Sequence, residues 1–167
     1  PAGLVISQHL QAQIGSLNSE IKNVTMNISK HDTVSSTAVG LRNQLNELRA
    51  LAIGAANSGV NSEEAQEAYE TAATSIVNSY NLTVRDAEYN GHKTLDGSAN
   101  ALADVSELTG IDLSSAEAAA QSVANIDAAA KQVDQAIIDV GSAQKYELES
   151  KLSSLEIQRQ NLSAAES

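Results

Sequence analysis

The chain has 167 residues, with 10 Lys and Arg against 21 Asp and Glu, a formal net charge of −11. That balance argues against a surface built to bind the phosphate backbone of nucleic acid or an anionic membrane. Apolar residues make up 42% but aromatics only 2%, all of them Tyr; Cys is absent and Pro1 is the only proline. Much of the apolar share is Ala, so the composition predicts long helices in a slim bundle, without disulfides or thiolate chemistry.

Length predicts a single domain, 1–167, large enough to bury a core. No run approaches 18 apolar residues, and no charged-then-apolar leader precedes the first helix. The chain therefore reads as soluble and without a visible secretory signal peptide.

The first element opens at Pro1, a residue suited to a helix start. Apolar residues then recur at Ile6, Leu10, Ile14, Leu17, Ile21, Val24 and Ile28, alternating steps of three and four that approach a heptad seam. His31 keeps the register, followed by Val34, Ala38, Leu41, Leu45, Leu48, Ala52 and Ala55. The β-branched and hydroxyl-rich run 33–37 weakens the helix locally but holds no Pro or Gly. One long helix over 1–57 with a soft middle is expected. Asn57-Ser58-Gly59 supplies its stop, and Asn61-Ser62-Glu63-Glu64 a cap followed by an acidic first turn.

A second helix, 62–87, follows on Ala65, Tyr69, Ala72, Ile76 and Tyr80, antiparallel to the first because the connection is short. The segment 88–115 is expected to be turn and loop. Asn90-Gly91 and Asp96-Gly97 are turn dipeptides that flank either a small hairpin or a plain turn, and 101–108 has room for one helical turn. Ser114 or Ser115 caps a closing helix over 116–167, with Glu117 in its first turn. Its stripe runs Ile126, Ala130, Val133, Ile137, Val140, Gln144, Leu148, Leu152, Leu155, Arg159 and Leu162, a mean spacing of about 3.6 that keeps it on one face. The fold class is all-α: an elongated antiparallel bundle of long helices with one irregular loop or small hairpin.

Catalytic and metal constellations are hard to find. His9, His31 and His92 lack the i+3 to i+5 partners of a zinc pair. No Ser sits on a strained turn beside a His, and no glycine loop follows a strand to cradle phosphate. Glu63-Glu64 and Glu147/Glu149 read as helix-dipole partners or solvated faces. The chain is expected to be no enzyme, with no cofactor and no bound metal. Narrow Ala-rich seams on long helices suit lateral self-association as well as folding.

Four stretches, in order, then carry a resemblance. The opening Pro1-Ala-Gly-Leu-Val-Ile-Ser with Ala12-Gln-Ile-Gly-Ser-Leu-Asn, the segment Leu45-Asn-Glu-Leu-Arg-Ala-Leu-Ala-Ile-Gly-Ala-Ala-Asn57, the turn Glu88-Tyr-Asn-Gly-His-Lys-Thr-Leu-Asp-Gly97 and the ending Asn161-Leu-Ser-Ala-Ala-Glu-Ser167 resemble the conserved core of bacterial flagellins. The resemblance implies the α-helical D1 core built from both chain ends. It implies the structural subunit of an extracellular flagellar filament, exported through the flagellar secretion system and supporting motility. Expected partners are other flagellin subunits, an export chaperone and cap proteins, and neither nucleic acid nor membrane.

The chain departs from the family pattern in three places. The terminal D0 segments of the family are missing, which implies a shortened core that folds without polymerising, and the variable outer domains are missing, which implies a minimal flagellin or one with them deleted. The closing helix also holds one residue more than many relatives between Gly141 and Leu155. Many flagellins meet a vertebrate innate-immune receptor through the segment matching 47–53. Arg49 and Leu51 fit that motif, whereas Glu47 and Ala50 depart from it. Glu47, Arg49, Leu51 and Ile53 are therefore the candidate surface, for subunit contact before receptor contact. Two other readings remain open: a hook–filament junction protein, or a surface adhesin or carbohydrate-binding homologue, which would need a cleft.

Overall fold

The computed structural model describes residues 1–57 and 61–167, apart from the side chains of Ser142 and Ala143. It is all-α, with helices α1 (Ala2–Ala55), α2 (Glu63–Asp86), α3 (Ala116–Val140) and α4 (Ser142–Glu166). The two-residue strands β1 (Glu88–Tyr89) and β2 (His92–Lys93) form one small antiparallel hairpin. The chain divides into two compact units. Unit 1 comprises 1–32 and 141–167, unit 2 comprises 33–140, and α1 contributes to both.

The α1 stripe is buried without a gap from His31 through Ala55. The weak run 33–37 stays helical, and the Thr37 hydroxyl donates back to the Thr33 carbonyl at 3.0 Å, the usual local bond of a helical Thr. Toward the start of α1, Leu10, Ile14, Leu17 and Ile21 are only half-buried and Ile6 is 60% exposed. Unit 1 explains this: it is a two-helix pair, and a second helix covers only one side of a seam.

Its register is antiparallel. Gln11 donates to Glu166, Arg159 to Asn18, and Lys145 pairs with Asp32 at 2.8 Å, so the partner retreats along α4 as α1 advances. His31 is buried in the same pair, its Nδ1 2.8 Å from the Asn27 carbonyl and its Nε2 3.0 Å from the Gln144 side-chain oxygen.

In unit 2, α1 packs against α2 and α3. Gln44 donates to Ser79 on α2, while Arg42 and Arg49 reach Asp134 and Asp127 on α3, so both neighbours run antiparallel to α1. Leu41, Leu45, Leu48, Tyr80, Leu95, Leu113, Ile126 and Val133 fill the core. Each buried Leu contributes about 1.5–3 kcal/mol, offset by the entropy of ordering the chain. The Tyr69 ring packs so closely on α1 that a Cβ at Gly54 would lie 2.7 Å from its hydroxyl oxygen. Only glycine fits that helix position without displacing the ring.

Helix ends follow local chemistry. The Ser62 side chain accepts from the Ala65 N–H, with Glu63 and Glu64 in the first turn of α2 and Arg85 in its last. Ser115 caps α3 by accepting from the Ala118 N–H. At the end of α1, the Asn61 and Gln66 amides donate to the last carbonyls, Gly54 and Ala55. Of the expected stop signal, Ser58 and Gly59 lie outside the described residues.

Two expectations change. The closing helix is not continuous over 116–167, because it breaks at Gly141, which is extended (φ −76°, ψ −156°) and starts α4 as its N-cap. The apolar register crosses the break, which hid it from the spacing; glycine is about 1 kcal/mol less favourable than Ala inside a helix and marks the point of failure. Nor does 101–108 form a helical turn. Ala103 and Val105 are buried while Asp104 and Ser106 are exposed, an alternation of two. The Leu102 N–H donates to the Thr94 carbonyl and the Val105 N–H to that of Leu95, and Asp96 bridges to Asp104. Of the two turn dipeptides, Asn90-Gly91 closes the hairpin with φ of 55° and 80°, the left-handed pair of a type I′ turn.

Side-chain amides tether the irregular segment between β2 and α3. Asn81 on α2 brackets Leu108, accepting from its N–H at 2.6 Å and donating to its carbonyl at 3.1 Å. Gln66 donates to the Leu113 carbonyl and Glu70 accepts from the Leu113 N–H. These bonds replace the ladder that a loop lacks.

Asn81→Ala would leave both Leu108 backbone groups without this partner, and we expect a loss of about 2 kcal/mol or more in chemical denaturation. Asn81→Asp keeps the acceptor alone and should fall between Ala and the parent; a loss equal to that of Ala would count against the bracket. Tyr80 is fully buried, its hydroxyl meets no protein partner among the described residues, and burial pushes its pKa up to about 12. Tyr80→Phe should therefore leave stability unchanged or raise it by about 1 kcal/mol, whereas Tyr80→Ala should cost about 3–5 kcal/mol. A destabilised Phe variant would mean that the hydroxyl is hydrogen-bonded in solution.

Candidate interaction surface

The segment 47–53 lies in the last turns of α1, within unit 2. A helix turns about 100° per residue, so positions two apart project almost oppositely. Glu47 and Leu51 share one flank, Arg49 and Ile53 share the other, and the buried stripe of Leu45, Leu48 and Ala52 runs between them. The four candidate residues are thus not one surface. Glu47 is exposed, while Leu51 is half-buried against the core on the side where Gln44 and Gly54 meet α2.

Arg49 and Ile53 face α3. The Arg49 Nε donates to Asp127 at 2.8 Å, and two turns earlier the Arg42 Nε donates to Asp134 at 2.9 Å while its Nη1 donates to Asn46. The hydrogen bond from Arg49 holds the Asp127 carboxyl below the usual carboxylate range and raises the guanidinium in turn. Both pairs are largely solvated. They orient side chains more than they stabilise the fold.

Three exposed apolar residues border this ladder: Ile53 (51%) and Val39 (45%) on α1, and Ile138 (70%) on α3. Ile138 falls on the ladder side of α3 because it lies one turn beyond Asp134. Sequence reasoning did not single out Val39 or Ile138. Their only signal is being large, apolar and off the buried stripe. The α1/α3 face thus presents apolar side chains among charges that already satisfy one another.

Hollows elsewhere are shallow. One of about 500 Å³ lies between the starts of α2 and α3, lined by Asn61, Gln66, Glu70 and Ser114 among others. Asn61, Gln66 and Glu70 are spent there on the end of α1 and on Leu113, and Glu63 and Glu67 also line it. Among the described residues no group of three or more His, Cys, Asp or Glu is placed to hold a metal, and no helix is long and apolar enough to cross a membrane.

The family model for the bacterial flagellin N-terminal helical region matches residues 1–100. The chain belongs to the bacterial flagellin family. The solved structure of Bacillus cereus flagellin shares its fold, with a TM-score of 0.60 and 17% identity, covering 84% of this chain and 88% of that one. No curated protein matches. Flagellins are structural proteins of the extracellular flagellar filament and not enzymes, and the family implies self-association. In this flagellin the helical class stands as the sequence implied.

The acid response tests the Arg49–Asp127 pair. Because the native Asp127 pKa is depressed, its contribution is present above the unfolded value of about 4 and is lost as pH falls through the native value. The stability difference between the parent and Asp127→Asn should therefore be measurable at neutral pH and vanish in acid. A difference that persists unchanged in acid would show that the pair is not its source.

Proposed function

We propose that the chain belongs to the repeating subunit of a bacterial flagellar filament, which in its full-length form is exported by the flagellar secretion system and assembles outside the cell to support swimming. The family match over 1–100 carries this reading. The fold supports it, because its exposed features are helix faces and its hollows are shallow. An open-ended polymer forms when two different faces of one subunit meet without closing a ring. An export chaperone and filament cap proteins are the further partners this reading brings.

Of the four candidate residues, we assign Ile53 and Arg49 to the contact face and leave Glu47 and Leu51 to the flank toward α2. The two that fit the receptor motif, Arg49 and Leu51, project from opposite flanks of α1. This favours subunit contact over receptor contact.

A strain lacking the gene should lose its filaments and its swimming, and the parent gene should restore both. Ile53→Asp should fold with parent-like helicity, because Ile53 is outside the core, yet shorten filaments several-fold by burying a charge in the contact. Normal filaments in the deletion strain would sink the subunit reading. A few copies per flagellum, confined to the filament base, would point instead to the junction protein.

A further inference from the structure

Charge is distributed unevenly between the two units. Unit 1 carries five basic and six acidic side chains, a net −1, whereas unit 2 carries five against fifteen, a net −10 of the chain's −11. Unit 1 is the two-helix pair of α1 and α4. In such a pair the face of each helix opposite the seam points away from its partner, and an outward face that stays in water normally carries the charges.

Over residues 5–26 of α1 and 146–157 of α4 the outward faces are free of charge. On α1, Val5, Ala12, Ser19 and Met26 recur every seven residues opposite the Leu10–Ile14–Leu17–Ile21 seam, and all four are exposed. On α4, Tyr146, Ser150, Ser153 and Ile157 step by four, three and four opposite Leu148, Leu152 and Leu155, and all are exposed; Tyr146 reaches 67% and Ile157 56%. Charged residues border these stretches: Glu20 and Lys22 beside the first, with Lys30 one turn past Met26, and Glu147 and Glu149 beside the second. Each helix therefore carries two heptad-like rows, one half-buried between α1 and α4 and one uncovered. The Ser19 hydroxyl already donates to the Gly15 carbonyl, which lowers the cost of taking it out of water.

We infer that the outward face of α4 in one copy packs against the outward face of α1 in a second copy of this chain, so that the two-helix units stack side by side. This rests on the filament reading and names its contact. Charge selects the occupant. Two copies at −11 each repel wherever acidic surfaces meet, whereas apposition of the stretches 5–26 and 146–157 buries no charge. A cationic partner would be drawn to unit 2 instead. Because the faces differ and point in opposite directions, each copy keeps one free after binding, which is the heterologous geometry of an open assembly.

The chain has no Cys, so introduced thiols report alone. Cells carrying Ser19→Cys and Ser153→Cys in the one gene should make filaments in which a short bis-maleimide links subunits into ladders. Either single variant, and a border pair Lys22→Cys with Glu147→Cys, should give at least tenfold less cross-linking. As a second measure, Ser153→Lys should leave helicity and melting of the purified protein unchanged while lowering filament mass per cell at least tenfold. Normal filaments without ladders, or Ser153→Lys filaments at parental yield, would overturn this contact and leave the filament reading standing. Absence of the parent protein from filaments would overturn both.

Discussion

The buried stripe of α1 is the constraint on which the rest depends. It is one unbroken row, yet its environment changes along its length. In unit 1 it meets a single helix and stays half open; in unit 2 it meets two helices and the loop, and closes completely. Residue size follows the change. Large side chains at Leu41, Leu45 and Leu48 fill the centre, then Ala52 and Ala55 let α2 come close enough for the Tyr69 ring to rest on Gly54. An aromatic-poor core has to find its packing in approach distance instead of side-chain bulk, and Ala and Gly supply it.

That stripe explains why the helical half of the fold is legible in the sequence. A period of 3.6 is a local signal, and α1 and α2 begin and end close to where caps and spacing put them. The irregular segment is different. Its bonds run from Asn81 to Leu108, from Gln66 to Leu113 and from Gln132 to Ser106, across 26 to 47 residues. Nothing in a polar amide on a helix face announces which distant backbone group it will meet. The strand-like placement of 101–108 was partly visible in the alternation around Val105, which is too short to outweigh a helical reading without Leu95 beside it.

The break at Gly141 shows the limit of periodicity from the other side. A stripe that keeps its spacing looks like one helix even when the helical hydrogen bonding is interrupted, because spacing records the face and not the continuity of the backbone. The candidate surface has the same weakness. Glu47, Arg49, Leu51 and Ile53 are adjacent in sequence, and a motif groups them. Helical geometry divides them two and two, with Leu48 and Ala52 buried between. A motif is read along the chain, whereas a partner reads across a helix face. The exposed neighbours that complete the Arg49 flank, Val39 and Ile138, are 99 residues apart in the chain.

Charge follows the same division of labour as packing. Unit 2 closes its own core and carries the acidic excess, and on its α1/α3 ladder each Arg is already answered by an Asp. Unit 1 closes only half of its seam and has almost no net charge. A net −11 opposes non-specific clustering at long range, and that repulsion is screened beyond about 8–10 Å in physiological salt. Short-range contact is then decided by which surfaces bury no ion. Acidic unit 2 and near-neutral unit 1 thus work together: the first discourages unproductive encounters, and the second leaves uncharged helix faces on which a specific encounter costs least.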